Sequence, residues 1–506
     1  MSLGAADTSV CATSGIAEPV WLTSISPADK LAGATSGFRS LGRQQRPHHV
    51  PKTSRAILSL ILLASCATAM SAREEVSRDF QKSLPLTGGR SLKVEHAQGN
   101  IVIHTHSKGQ VDIHASIKCS SDRVDDARQW CDGIKVLVDE NSSGVSVRTQ
   151  LPDSGFFHGR RNFSWAVNLD IDMPDTAPLE ARSHFGSVTV VDLHAPAIVA
   201  TNNGNVLFTG GRGKQRIENS FGNVEVARND GDVTIVNSNG AVTASEITGA
   251  LDVRDNFGEI KASNIGKRLE VNAGNGNVTV TDVTGPIVIS DSFGKVTVRD
   301  TKADVTVRNE NGAVEVTGVN GMADLHTSFG PIRFSRIAKG LTVRGQNSEI
   351  TGDTVGGGAV VDTSFGGIDV RAVKGAARLT DQNGSVRASD VGGEIYAKTS
   401  FGGIAVEDAA GPITADNQSG SIAVRARAAT RCQPIALTTS FGPIKVAVAK
   451  GAGYDVTARV SFGRISVEPS MVVSGQVGGE SVNGKIGGGG CELKLNDQNG
   501  NIDIVN

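Results

Sequence analysis

A glycine returns at one fixed interval through the middle of the chain. Gly186, Gly204, Gly222, Gly240, Gly258, Gly276, Gly294, Gly312 and Gly330 stand 18 residues apart; Ser348 takes the next slot, and Gly366, Gly384, Gly402 and Gly420 continue the count. The residue before the glycine alternates. It is Phe at 185, 221, 257, 293, 329, 365 and 401, and Asn at 203, 239, 275, 311, 347 and 383, with Ser at 419. The duplicated unit is therefore 36 residues, made of two similar halves. A fixed period of this kind marks an array whose units cannot bury a face alone and gain a core by stacking.

Two positions after each glycine slot stands Val or Ile, from Val188 to Ile422, and two further on a second apolar column follows, including Val190, Phe208, Val226, Val280 and Phe334. β-branched side chains suit a pleated, packed surface. A second alternating stretch comes later in each unit, as in Leu251 and Val253 or Ile287 and Ile289. A middle glycine often separates the two stretches, as at Gly213, Gly231, Gly249 and Gly285. Period-2 alternation buries one face of each strand, and Gly and Asn at the corners suit positive φ. The pattern predicts an all-β fold, a parallel β-solenoid of 18-residue rungs with inward positions 2, 4, 7, 11 and 13 after each glycine. About 17 rungs, each roughly 4.8 Å thick, are expected. The alternative is a seven-bladed β-propeller, because seven 36-residue units fit between Phe185 and Gly420. Blades usually need about 40 residues or more, and repeats continue past Gly420, which favours the solenoid. A third column is small and polar, including Thr201, Asn219, Asn237, Asp255, Asp291, Asn309 and Asn417. It reads as a structural ladder of side chains bonded from rung to rung.

Five segments follow from this reading. Residues 1–50 lack strand or helix periodicity and read as a disordered extension or a mis-assigned start. Residues 51–72 carry Lys52 and Arg55, an apolar run and the small-residue pattern Ala67-Thr68-Ala69, the marks of an export signal. Leu63-Ala64-Ser65-Cys66 also matches a lipobox, which makes Cys66 a lipidation candidate beside ordinary cleavage. Residues 73–180 form an irregular β region with one helix over 121–132, strands over 134–138, 145–147 and 165–173, and an exposed tip holding Phe156, Phe157 and His158. Pro174 suggests that the last of these strands is an edge. Gln98-Gly99-Asn100-Ile101 opens a first rung, with Gln110 to Ile113 as its second strand. Residues 181–420 are the regular solenoid, and 421–506 are degenerate copies carrying Phe441-Gly442, Phe462-Gly463 and Asn483-Gly484.

Few residues offer chemistry. Asp252 and Glu270 occupy one outward column on adjacent rungs, so they sit about 5 Å apart, within carboxylate-pair range. Arg254 and Arg268 flank them and suggest a neutralised surface cluster. Glu225, Glu315 and Asp369 share another column but stand several rungs apart. His104, His106 and His114 alternate on an outward face, where a metal is conceivable but no carboxylate or Cys completes the set. Cys119 and Cys131 bracket the helix and form a disulfide candidate. Cys432 and Cys491 lie about three rungs, roughly 14 Å, apart along the stack, too far unless the end folds back. No cofactor motif is present, and a net charge of −2 without a basic block argues against nucleic acid.

The Ser-Phe-Gly-x-Ile/Val-x-Val motif, alternating with Asn-Gly-x-Val-x-Val, resembles the bacterial putative-adhesin family of β-strand-repeat proteins of unknown function, over roughly residues 88–506. The resemblance implies a β-strand-repeat fold and offers no catalytic residues. The expected protein is exported to the periplasm, outer membrane or cell surface. It serves there as an adhesin or binding scaffold without catalysis, with glycan, matrix or envelope partners. It meets a membrane only through its signal segment or a lipid anchor. The alternative is a polysaccharide-acting enzyme using Asp252 and Glu270.

Overall fold

The computed structural model describes residues 74–152, 163–427, 432–468 and 473–506. The export segment with Cys66 and the tip with Phe156, Phe157 and His158 lie outside them. The described chain winds into about 15 stacked parallel turns of about 18 residues, a β-solenoid with one helix. Each turn adds one strand to each of two long parallel sheets, which rules out separate propeller blades. Between Leu179 and Glu407 paired residues lie 18 positions apart, as in Val278↔Val296 on one sheet and Ile287↔Val305 on the other.

The inward columns fall as the alternation requires. In one turn Val278, Val280, Val283, Ile287 and Ile289 are all buried, at no more than 1% exposure. Each such side chain contributes roughly 1.5–3 kcal/mol of transfer free energy, realised only when turns above and below cover it. Large residues are matched by small ones. A Cβ on Gly352 would lie 2.4 Å from the Phe334 ring, and one on Gly211 equally close to Phe208. Ser348, the one interruption of the glycine column, is 1% exposed. It fits because the neighbouring inward position is Gly345, where a Cβ would stand 2.7 Å from that of Ser348.

Most corner glycines adopt positive φ as expected, such as Gly186 at 123° and Gly240 at 127°, but the corner Asn residues do not. A Cβ on Gly276 would lie 1.8 Å from the Gly258 carbonyl oxygen, so these glycines are needed for close stacking of one corner on the next. Positive φ in non-glycine residues occurs elsewhere, six positions after the glycine slot. Asp192, Asp282, Asp300, Asp390 and Asp408 adopt it there, with Asn264, Arg228, Glu246, Arg336, Thr354 and Ala372. Asp and Asn tolerate this left-handed region better than most residues, at a cost near 1–2 kcal/mol for the others. The corner Asn residues are not among them.

Both ends depart from chain order. Strands Ser91–Gln98 and Ile101–His106 form the first turn and pair directly with Leu179–Phe185 and Val188–Val191. Gln110–Ser121 is therefore not the second strand of that turn. It runs antiparallel to both Glu74–Pro85 and Ser164–Pro174, forming a flap over the end. Ser164–Pro174 is not an edge either, since it also pairs with Ile101–His106. Helix Val124–Gly133 packs Ala127, Trp130 and Cys131 inward, and Cys119 and Cys131 are disulfide-bonded beneath it.

At the other end the penultimate strand turns back. Cys491–Asn499 inserts between Ile435–Phe441 and Tyr454–Phe462, parallel to both. Cys432 and Cys491 are consequently joined by a disulfide, with Cα atoms 5.7 Å apart. The 14 Å separation assumed chain order, and the fold-back removes it. Asn483-Gly484 is no solenoid corner. It lies in Ser481–Ile486, which is antiparallel to Tyr454–Phe462 and Val473–Val477 and covers the last turn. Antiparallel flaps thus close both ends, where open edges would recruit further strands.

Candidate functional site

The third polar column is buried, and its bonding differs from a side-chain ladder. Asn219, Asn237, Asn309 and Asn417 donate Nδ2–H to glycine carbonyls at 2.8, 2.9, 2.9 and 2.7 Å. Thr201 and Thr399 donate to the Gly186 and Gly384 carbonyls. The column thus stitches the corner backbone, which would otherwise present buried unpaired acceptors. Asp cannot donate once ionised. Burial accordingly pushes Asp291 up to about 6 and raises Asp255, Asp381 and Asp497. His96, 3% exposed, opens the column beside Ser183, and burial pushes its imidazole down to about 4.

On the outward faces, Asp252 and Glu270 are cross-strand neighbours. Each is held by an arginine two residues along its own strand: Arg254 lies 3.3 Å from Asp252, and Arg268 contacts Glu270. Asn272 also donates to Glu270 at 3.5 Å. The same two-residue pairing recurs at Arg182 with Glu180, Arg216 with Glu218 and Arg371 with Asp369, so the cluster is one instance of a surface habit. Asp369 lies against two arginines, Arg371 at 2.8 Å and Arg387 at 3.6 Å. A hydrogen bond from Arg371, reinforced by Arg387, keeps its carboxyl below the usual range. Glu315 and Asp369 are separated by Arg333 and Thr351 in the register. They line one shallow dent of about 510 Å³ together with Arg333, Gly352 and Arg371.

The histidines meet a carboxylate that lies far along the chain. Strand Ser164–Pro174 sits between the strands carrying His104 and His114. His104 Nε2 comes within 3.8 Å of Asp170, and His114 stands directly across from it. His106 instead accepts from the Lys108 backbone N–H at 3.2 Å. Among the described residues no three His, Cys, Asp or Glu side chains form a metal-holding group.

Two longer grooves run over the turns. One, of about 710 Å³, crosses the outer face of the second sheet. Its floor includes Met322 and Val360, 53% and 38% exposed. Arg378 lies 4.3 Å over the Tyr396 ring, and Asp324 holds Arg308 and Arg344 at 3.7 and 3.4 Å. An apolar floor with a charged rim suits weak amphipathic ligands. The other groove, of about 830 Å³, follows the left-handed corner past Glu246, Asn264, Asp282 and Asp300.

A third surface feature was visible in the sequence only as punctuation. The corner phenylalanines do not enter the core. Phe185, Phe221, Phe257, Phe293, Phe329, Phe365, Phe401, Phe441 and Phe462 are 51% to 75% exposed, in one line along the rim between the sheets. The recurrence of an aromatic residue beside a corner glycine was the available signal.

No family model and no curated protein matches the chain. Among solved structures, a putative cell adhesion protein from Clostridium sporogenes is similar over 85% of this chain and 99% of its own, at 9% sequence identity and a TM-score of 0.15. No described helix is long and apolar enough to cross a membrane. At so low a score the likeness says nothing of activity, and a functional reading rests on the chain's own surfaces.

Proposed function

We propose that the chain is an exported, non-catalytic scaffold of the cell envelope or surface that binds its partners by many weak, repeated contacts. The observation that carries this is the pair of disulfides pinning the two capped ends, Cys119 with Cys131 and Cys432 with Cys491. Such bonds persist in oxidising compartments and are rare in a reducing cytosol. The outward columns support the binding role. They repeat charged and polar side chains without a converging nucleophile and base, and avidity then substitutes for one tight pocket. The groove of Met322, Tyr396 and Arg378 offers one such contact surface, suited to glycan or extended peptide.

The test is fractionation of a bacterial host expressing the full chain, followed by a glycan and matrix-protein array. Envelope material with an N-terminus beyond Ser65, oxidised cysteines, and array binding weakened by Tyr396→Ala would support the reading. Cytoplasmic, fully reduced material with Met1 retained would overturn it.

A further inference from the structure

We propose that two copies of this chain pair rim to rim, antiparallel, by interleaving their rows of corner phenylalanines. The rows have the spacing this requires. Phe stands on every second turn, so rings are about 9.6 Å apart at roughly 4.8 Å per turn. That is too far for neighbours in one row to stack, since aromatic pairs prefer centroids about 4.5–7 Å apart. The space between rings is floored by Asn. Asn203, Asn239, Asn275, Asn383 and Asn499 donate Nδ2–H to backbone carbonyls of the preceding turn at 3.2 to 3.5 Å. These five slots therefore have a fixed floor and an aromatic wall on either side. A ring from a second row would sit about 4.8 Å from both walls, inside the favourable window.

The C-terminal end adds an independent observation. In chain order Phe441 and Phe462 belong to consecutive corners, and their rings would be crowded onto adjacent turns. The returning strand Cys491–Asn499 lies between them and places Asn499 beside both. At the opposite end Gln98 adjoins Phe185. The Phe/polar alternation is thus kept in space where the chain order breaks it, which core packing does not demand of exposed rings.

The area fits a pair. A half-exposed Phe leaves roughly 100 Å² uncovered, given about 150–250 Å² for a whole aromatic side chain. Nine such rings present about 900 Å² in all. Two rows together bury about 1,800 Å², within the about 1,200–2,000 Å² of a stable interface. From Phe365 to Phe441 the residues before each Phe or Asn and after each glycine carry no charge and permit close approach; elsewhere along the row Glu259, Lys295, Glu310, Glu349 and Arg464 stand at those positions. The interface is isologous, with a two-fold axis crossing the rim between a Phe turn and an Asn turn, so it closes at two copies. This inference is independent of the binding role proposed above.

Sedimentation equilibrium of the full chain at micromolar concentration is the test, with three variants. The wild type should show the mass of two chains. Phe293→Ser, Phe329→Ser and Phe365→Ser together remove exposed rings and should give the mass of one chain with unchanged circular dichroism. Deleting residues 258–293 removes two turns, keeps the alternation and should keep the pair. Deleting residues 258–275 removes one turn, sets Phe257 directly beside Phe293, and should weaken pairing at least tenfold. A wild type of single-chain mass would overturn the proposal, including one whose Phe row proves to bind glycan instead. So would a pair that survives the triple replacement, or equal pairing by the two deletions where both fold.

Discussion

Replacing Asp291 by Asn is expected to stabilise the solenoid at neutral pH and to do much less near pH 4. Asp291 is 4% exposed, and neither carboxylate oxygen has a hydrogen-bond partner of normal geometry. Burial pushes it from 3.8 to about 6, offset only in part by the backbone amides of Phe293 and Ser292. A folded value above the unfolded one means that the protonated form is favoured by folding. Its contribution is complete below about 3.8 and is lost as pH rises through about 6. A shift of about 2 units corresponds to about 3 kcal/mol at neutral pH. Asn does not titrate, and at equivalent positions it donates to a glycine carbonyl, as Asn309 does to Gly294 at 2.9 Å. That bond adds about 1 kcal/mol at any pH.

The assay is urea unfolding at pH 4 and at pH 7.5, joined to hydrogen exchange over the turns around residue 291. Exchange matters because stacked repeats open locally as well as globally. The advantage of Asn should be about 4 kcal/mol at the higher pH and about 1 kcal/mol at the lower. Asp255→Asn should gain less, because the neighbouring Asn237 opposes the upward shift of that carboxyl. An advantage of Asp291→Asn that is equal at both pH values, or a loss at pH 7.5, would refute the reasoning about this column.

Three further outcomes are expected. Ile332→Asp, fully buried between Val314 and Ile350, should lose several kcal/mol by burying an unpaired charge. Exposed Ala423→Asp should stay within about 0.5 kcal/mol, and equal melting shifts would contradict the inward assignment. Replacing Cys432 and Cys491 by Ser opens a loop of 59 residues, removing about 4 kcal/mol of constraint on the unfolded chain. Faster proteolysis and exchange confined to strand Cys491–Asn499 and its neighbours is the result to look for, and unchanged rates would mean that its pairing alone holds it. Asp252→Asn and Glu270→Gln should leave any attachment activity intact, with no turnover by the wild type. Reducing-sugar release abolished by either change would make the chain an enzyme.

What was legible in the sequence was whatever repeats at fixed distance. Val278 and Val296 meet because 18 residues separate them, and the same interval sets every inward position through the regular turns. Positive φ at the corner glycines was legible and is found at most of them, as at Gly186 and Gly240, whereas the second left-handed corner, marked by the recurrence of Asp192, Asp282, Asp300, Asp390 and Asp408, went unread. The polar column was recognised as structural, yet its burial depends on two sheets closing over it, which alternation along one strand does not report. The ends were illegible for a different reason. A strand signature names a strand without naming its neighbour: Asn483-Gly484 and Asn499-Gly500 look alike, and only the second forms a corner of the stack. Asp170 beside His104 and His114 is the same case at the other end. The cysteines held the missing information. Taken as a constraint on the path, Cys432 and Cys491 require the strand Cys491–Asn499 to return beside Ile435–Phe441. That return puts Asn499 between Phe441 and Phe462. The spacing of the exposed rings is therefore a property of spatial order, set at this end by long-range pairing and a covalent bond, with the local repeat broken.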